Sequence, residues 1–192
     1  MIAKVYDNLF SPKYIIETEE LLSEMPVSAL NIANGRDYPR AVHGTHRLFG
    51  ECIFARTNFN RVETLSKDAE RFFDIFEHIQ KVTDEYYYLN RIDFNLQHSF
   101  CDGSFHLDGH DDNHHTIMYM ANHTWDTKEW GGQFQLCDKE YNVIEEHEFV
   151  PGRVLVFPSN IFHRGLGPRH PYVYRYTVVW RVQDIDSALD EL

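Results

Sequence analysis

The spacing of apolar residues in the first part of the chain is typical of helices. Ser11 followed by Pro12 predicts a helix start, because serine caps a first turn and proline fits its first position; this helix should end before Pro26. Asn60 with Glu63 resembles the capping box of a second helix. Apolar residues at three- and four-residue steps mark that second helix: Val62, Leu65, Ala69, Phe72, Phe76 and Ile79.

After about Tyr86 the pattern changes to the alternation of apolar and polar residues that is typical of β-strands. Strands are predicted over residues 92–97, 116–120, 133–136, 154–157 and 173–182. Short strands at steady intervals, with helices ahead of them, predict a mainly β fold with supporting helices. We expect one domain over residues 1–192, with helical support and N-terminal strands in 1–85 and the β core in 86–182.

Composition and charge narrow the possible functions. The formal net charge of −12 repels phosphate backbones, so nucleic acid is an unlikely partner. The three cysteines, Cys52, Cys101 and Cys137, are far apart and form no zinc-binding or disulfide pattern, which favours reduced thiols in a cytoplasmic protein. No apolar run approaches the length that crosses a membrane. The oligomeric state is not specified by the sequence.

Histidine and carboxylate residues cluster between positions 105 and 115. His106 and Asp108 are two residues apart, so on an extended strand both side chains point to the same side. His163 follows a predicted buried strand and can supply a third ligand. Two imidazoles and one carboxylate on one face of a metal are typical of non-haem Fe(II) oxygenases. Zinc hydrolases use a similar set with one open position.

Arg175 helps to distinguish a non-haem Fe(II) oxygenase from a zinc hydrolase. It lies on the last predicted strand, 12 residues after His163, with Thr177 on the same face. A guanidinium among apolar strand residues is costly to bury without an anion, and its fork fits a carboxylate. The far carboxylate of 2-oxoglutarate would be such an anion, with a hydrogen bond from Thr177. A cupin-like metal protein that acts on a small molecule without 2-oxoglutarate would leave both residues unused.

These residues resemble the prolyl-4-hydroxylase-like branch of the Fe(II)/2-oxoglutarate-dependent dioxygenase superfamily. The resemblance covers residues 86–182, about half of the chain. It rests on these matches: His106-Leu107-Asp108, Thr116, Tyr119, Asn122, Trp125, Trp130-Gly131-Gly132-Gln133, Pro151-Gly152-Arg153, His163 and Arg175-Tyr176-Thr177.

The resemblance implies a double-stranded β-helix (jelly roll) and a hydroxylase that uses Fe(II), 2-oxoglutarate and O2, with ascorbate as a candidate reductant. It implies His106, Asp108 and His163 as the catalytic metal ligands. It further implies contacts from Arg175, Thr177 and Tyr119 to the cosubstrate, although Met120 competes with Tyr119. The substrate it suggests is a prolyl or other peptidyl side chain, while a small molecule stays open.

Two alternatives to this assignment remain in the sequence. His110 and Asp112 form a second pair with the same spacing as His106 and Asp108, although the spacing of the first pair to His163 fits the family pattern better. The cosubstrate contact has three rival arginines, because the gap from His163 to Arg175 is longer than in many prolyl hydroxylases. These rivals are Arg164, Arg169 and Arg181.

Overall fold

Ten strands and four helices make up the part of the chain that the computed structural model describes, which is residues 1–28, 48–56 and 61–190. The strands are β1 (Lys4–Tyr6), β2 (Phe49–Arg56), β3 (Val62–Leu65), β4 (Tyr87–Gln97), β5 (His114–Met120), β6 (Phe134–Cys137), β7 (Val143–His147), β8 (Val154–Pro158), β9 (Phe162–Gly165) and β10 (Arg175–Asp184). The helices are α1 (Pro12–Glu24), α2 (Ala69–Thr83), α3 (Thr127–Trp130) and α4 (Ile185–Asp190). The prediction of a mainly β fold with supporting helices is confirmed.

The strands form two antiparallel sheets that pack face to face. The larger sheet has the order β1-β8-β5-β10-β4-β2-β3, and the smaller has the order β7-β6-β9. Apolar side chains from both sheets meet in one cluster, among them Met118 and Leu155 from the larger sheet and Phe134 and Leu136 from the smaller. Burial of these side chains on the inner faces holds the two sheets together.

The two long helices cover the outer face of the larger sheet. The Ser11 side chain accepts a hydrogen bond from the Tyr14 amide, so the predicted start of α1 is confirmed. On α2, Phe72 is fully buried, and its carbonyl accepts a hydrogen bond from the Trp180 indole on β10 at 3.1 Å. No helix among the described residues is long and apolar enough to cross a membrane.

The predicted start of the second helix is wrong. Residues 62–65 form strand β3, which pairs with β2 so that Phe54 lies opposite Leu65, and the helix begins only at Ala69. Val62 and Leu65 had been counted on the helix face, but both are more than half exposed. Pairing with β2 provides hydrogen bonds for the backbone of this segment, and this outweighs the apolar spacing that predicted a helix. Asn60, the other half of the expected capping box, lies outside the described residues.

The alternation of side chains along β10 divides this strand between two environments. Tyr176, Val178, Trp180 and Val182 belong to the core beneath the helices. Arg175, Thr177, Val179 and Arg181 instead line a cavity between the sheets. The same strand thus contributes one face to stability and the other face to a candidate site.

Candidate active site

Backbone hydrogen bonds bring His106, Asp108 and His163 together. His106 and His163 form an isolated antiparallel bridge, in which each amide donates to the other residue's carbonyl at 3.0 Å. The Asp108 amide donates to the Ser159 carbonyl at 3.0 Å, which anchors the loop that follows His106. One ligand atom from each of the three side chains lies within 4.8 Å of the others. Within residues 1–28, 48–56 and 61–190, this is the only such group of three or more potential metal ligands.

The two imidazole rings are oriented by backbone carbonyls. Nδ1 of His106 lies 2.9 Å from the Ser104 carbonyl oxygen, and Nδ1 of His163 lies 2.9 Å from that of Ile161. Because a carbonyl oxygen only accepts, each Nδ1 carries the hydrogen and each Nε2 keeps a lone pair. The Nε2 atoms of His106 and His163 lie 3.8 and 3.3 Å from oxygens of Asp108. This orientation is the one that metal-binding histidines use.

Asp108 is held as a carboxylate. Its side chain is only 4% exposed, and burial alone would raise its pKa. The guanidinium of Arg181, 3.0 Å away, is the largest of the effects that oppose burial, and the pKa of Asp108 is held well below its ordinary value. The Thr116 hydroxyl donates to the second carboxylate oxygen at 3.0 Å. The group is therefore an anion in the pH range where iron enzymes work.

Arg175 is buried without an anion. Its side chain donates from Nε to the Gly132 carbonyl at 3.0 Å and from Nη1 to the Gln97 side-chain oxygen at 2.8 Å. The Gln97 amide is itself fixed, because its Nε2 donates to the Gly165 carbonyl at 2.9 Å. Nη2 of Arg175 is buried, and no hydrogen-bond partner for it and no carboxylate within 4.0 Å occurs among the described residues. Burial lowers the pKa of Arg175 to about 9, which leaves it a cation at neutral pH in need of a negative partner.

The triad and Arg175 line the same cavity. It contains about 600 Å³ of empty space, its open mouth included. Thr177 lies in its wall and is 2% exposed. The cavity therefore combines three potential metal ligands with a buried cation that lacks an anion.

Tyr119 is not part of this cavity, so the predicted cosubstrate contact from Tyr119 needs correction. The neighbouring residues of β5, Thr116 and Met118, alternate with Tyr119 and face the cavity. Tyr119 points to the opposite side of the sheet, where its ring meets that of Phe10 at a centroid distance of 5.1 Å. The alternation of a strand excludes it from the site. Met120, the competing residue, does not line the cavity either.

The rival residues are placed elsewhere or have their own partners. His110 is exposed, Asp112 accepts a hydrogen bond from Asn160, and neither joins a group of metal ligands in the described part of the chain.

The rival arginines have other partners. Arg169 pairs with Asp102 near the surface at 2.9 Å. Arg164 donates to Gln135 and lies outside the cavity wall. Arg181 does line the cavity, but it is paired with Asp108.

The sequence reasoning missed the role of Gln97, which orients Arg175. Gln97 lies opposite Arg175 in the register of β4 and β10, and both are 2% exposed. The alternation of Asp93, Asn95 and Gln97 on one face of β4 was a usable signal, because all three line the cavity. The alternation alone does not specify the register between β4 and β10, so it could not place Gln97 opposite Arg175.

A jelly-roll sandwich with such a cavity defines a candidate metal-dependent enzyme, and comparison with known proteins identifies the family. Residues 78–180, more than half of the chain, match the 2OG-Fe(II) oxygenase superfamily. The chain belongs to this family, and it is a 2-oxoglutarate-dependent non-haem iron dioxygenase. The family implies Fe(II) as the cofactor and 2-oxoglutarate and O2 as the cosubstrates. No curated protein matches the chain in sequence.

Solved structures confirm the double-stranded β-helix fold. An oxidoreductase of the 2OG-Fe(II) oxygenase family from Burkholderia pseudomallei is 15% identical, with a TM-score of 0.68 over 94% of this chain and 85% of its own. A prolyl hydroxylase from Trichoplax adhaerens, in complex with a hypoxia inducible factor peptide fragment, is 15% identical, with a TM-score of 0.64 over 97% and 86%. A prolyl-4-hydroxylase from Pseudomonas putida is 14% identical, with a TM-score of 0.56 over 95% and 92%.

Proposed function

We propose that His106, Asp108 and His163 hold the Fe(II) of this dioxygenase, and that Arg175 with Thr177 binds the far carboxylate of 2-oxoglutarate. The observation that carries the assignment is the buried Nη2 of Arg175, which lacks a partner among the described residues and lines the same cavity as the triad. A metal site alone gives no reason to bury an unpaired guanidinium. A dicarboxylate cosubstrate gives that reason.

The donor set fits Fe(II). Two imidazole nitrogens and one carboxylate oxygen form a set with positions left open for other ligands. When bound, Fe(II) with 2-oxoglutarate and O2 supplies the oxidation that converts a C–H bond of the substrate to C–OH, with release of succinate and CO2. The backbone carbonyls of Ser104 and Ile161 keep both imidazoles in the ligating tautomer. The Thr116 hydroxyl supports the Asp108 carboxylate.

Arg175 orients the cosubstrate by charge and geometry. Gln97 and the Gly132 carbonyl hold two of its donors, so the guanidinium plane is set before the cosubstrate arrives. A carboxylate that meets the remaining Nη2 gains a charge-assisted hydrogen bond without reorganisation of the side chain. Thr177, on the next cavity-facing position of β10, offers a hydroxyl to the same group.

The substrate that we propose is a peptidyl side chain or a small molecule, with ascorbate as the reductant that keeps the iron in its ferrous state. The structural similarity to a prolyl hydroxylase in complex with a peptide fragment supports a peptidyl group as the first class to test. A cupin-like protein that works without 2-oxoglutarate is the competing function. It explains the triad but gives the Arg175 cation no anion.

Anaerobic titration of the metal-free protein with Fe(II) and 2-oxoglutarate tests the assignment. A visible charge-transfer band that requires both additions is expected in the wild type and lost in Asp108→Ala. His110→Ala is the matched control and should keep the band, because His110 is exposed. Iron binding without any band would favour the cupin-like function. A wild-type band in Asp108→Ala would refute the proposed ligand set.

A further inference from the structure

The cavity has a second arginine at the end opposite Arg175. Arg175 and Arg181 both lie on the cavity-facing side of β10, with Thr177 and Val179 between them. Six residues of extended strand span about 20 Å. A five-carbon dicarboxylate has about as many chain atoms as two residues and spans about 7 Å. A cosubstrate bound at Arg175 therefore leaves Arg181 for another ligand.

Arg181 has unused hydrogen-bonding capacity and is accessible. One of its terminal nitrogens, Nη2, lies 3.0 Å from Asp108, but its Nε is buried and has no hydrogen-bond partner among the described residues. The nearest other acid is Asp93, at 4.0 Å from Nε. Both carboxylate oxygens of Asp93 already accept from Nε of Arg91, at 2.9 and 2.7 Å. The Arg181 side chain as a whole is 27% exposed and lines the cavity, so a ligand can reach the guanidinium, while Nε itself is buried.

The charges around the cavity favour an anion at this end. Asp93 is balanced by Arg91, and Asp108 is balanced by Arg181. The far carboxylate of 2-oxoglutarate would neutralise Arg175. Fe(II) and the other carboxylate of 2-oxoglutarate would then leave one net positive charge at the Arg181 end, counted with the Arg91–Asp93 and Arg181–Asp108 pairs and with neutral histidines. A cation bound at Asp108 also competes with Arg181 for that carboxylate, which frees the guanidinium to meet another acceptor.

We infer that Arg181 is a specificity-determining residue that binds a carboxylate of the substrate, close to the carbon that is hydroxylated. Its contact with Asp108 puts the guanidinium beside the proposed iron site, so a group bound to Arg181 holds its neighbouring carbons near the iron. The carboxylate belongs either to a free amino or organic acid or to an acidic residue of a peptide. The inference rests on the proposed function and names the substrate class of the same site.

Matched pairs of probes test this inference on the protein loaded anaerobically with Fe(II) and 2-oxoglutarate. One arm compares N-acetyl amino acids with their amides, and the other compares short capped peptides that contain Glu or Asp with their Gln or Asn counterparts. The measured quantity is the probe concentration that perturbs the charge-transfer band. We expect the acid of at least one pair to bind roughly 10- to 100-fold more tightly than its amide. The arm in which the preference appears identifies the source of the carboxylate.

Variants then assign the preference to Arg181. Arg181→Gln should reduce the ratio between acid and amide to about one, and Arg181→Lys should keep part of it, because lysine retains the charge without the fork. Arg169→Gln is the matched control, since Arg169 lies outside the cavity wall, and should keep the full ratio.

Three outcomes would overturn the inference. The first is that no acid binds more tightly than its amide in the wild type, although the charge-transfer band forms. The second is that the preference survives in Arg181→Gln. The third is that Arg181→Gln loses the band itself, which would make Arg181 a residue that only positions Asp108. Failure of the proposed function gives a different result, because the wild type would then form no band at all.

Discussion

Replacement of Arg175 by methionine removes the guanidinium and keeps an unbranched apolar side chain in the same space. Arg175 is 2% exposed and pairs with no carboxylate of the described residues, so the change deletes the cation without breaking an ion pair. We expect the variant to bind Fe(II) as the wild type does and to bind 2-oxoglutarate much more weakly. Arg175 is not one of the proposed metal ligands, so the loss of 2-oxoglutarate affinity can be separated from any change in iron affinity.

The size of the loss follows from the burial of Arg175. Removal of one partner from a buried, hydrogen-bonded charge pair costs about 2–5 kcal/mol of binding free energy. At about 1.4 kcal/mol for each tenfold change, the dissociation constant of 2-oxoglutarate should rise roughly 30-fold to several thousand-fold. The bonds from Arg175 to Gln97 and Gly132 exist before the cosubstrate binds, so they add nothing to this difference.

Two measurements check the magnitude. Anaerobic titration of the Fe(II) protein gives the dissociation constant of 2-oxoglutarate directly. Thermal unfolding gives it independently: at a 2-oxoglutarate concentration 100 times the wild-type dissociation constant, binding stabilises the wild type by about 2.7 kcal/mol. If the affinity of Arg175→Met is 100-fold lower, the same concentration stabilises it by only about 0.4 kcal/mol. Both assays should agree within their error.

Arg169→Met is the matched control for this experiment. Arg169 was a rival for the cosubstrate contact in the sequence, but it pairs with Asp102 near the surface and lies outside the cavity wall. Its replacement should leave the affinity for 2-oxoglutarate unchanged. The reasoning about buried charge would be refuted if Arg175→Met bound 2-oxoglutarate like the wild type, or if Arg169→Met were the variant that lost it.

Three further changes test neighbouring parts of the site. His110→Ala should keep the iron affinity of the wild type in a metal titration, and loss of iron would instead favour the second histidine–aspartate pair. Gly165→Ala should weaken 2-oxoglutarate binding roughly 10-fold, because an added Cβ would lie 2.9 Å from Nη1 of Arg175 and displace the guanidinium; an unchanged dissociation constant would contradict this. Tyr119→Phe should leave the affinity for 2-oxoglutarate unchanged, since Tyr119 lies in the core beneath the helices, on the other side of the sheet from the cavity. The free energy of unfolding of that variant should stay equal or rise by about 1 kcal/mol, because the lost hydroxyl is buried without a partner in the described structure, and a marked fall would reveal one.

Much of the candidate site could be predicted because each part of it follows a short sequence pattern. The two-residue step from His106 to Asp108 and the position of His163 after a buried strand are visible in the chain, and the structure brings all three side chains together. Arg175 could be selected because a charge on an apolar strand needs a partner. Five of the ten described strands, β4, β5, β6, β8 and β10, were predictable for a similar reason, since alternation over a few residues or a short apolar run indicates a buried strand face.

The errors came from features that the sequence leaves to tertiary contacts. Residues 62–65 continue the apolar spacing of α2, yet their pairing with β2 makes them a strand. Tyr119 was selected by its position in a motif, but a shift of one residue on a strand moves a side chain to the other face of the sheet. The role of Gln97 depended on the register between β4 and β10, which no local pattern specifies.

Arg175 and Arg181 show how the fold assigns different roles to residues that are equivalent in the sequence. Both lie on the same face of β10 and were both candidates for the cosubstrate contact. A loop brings Asp108 to one of them. The other donates to the neutral acceptors Gln97 and Gly132 and lies over the Phe149 ring, with no carboxylate partner among the described residues. Because a buried cation without an anion is the costlier state, the unpaired arginine is the one that we propose binds the dicarboxylate cosubstrate. The paired arginine is partly exposed beside the proposed iron site, and we infer that a carboxylate of the substrate is the group that it binds.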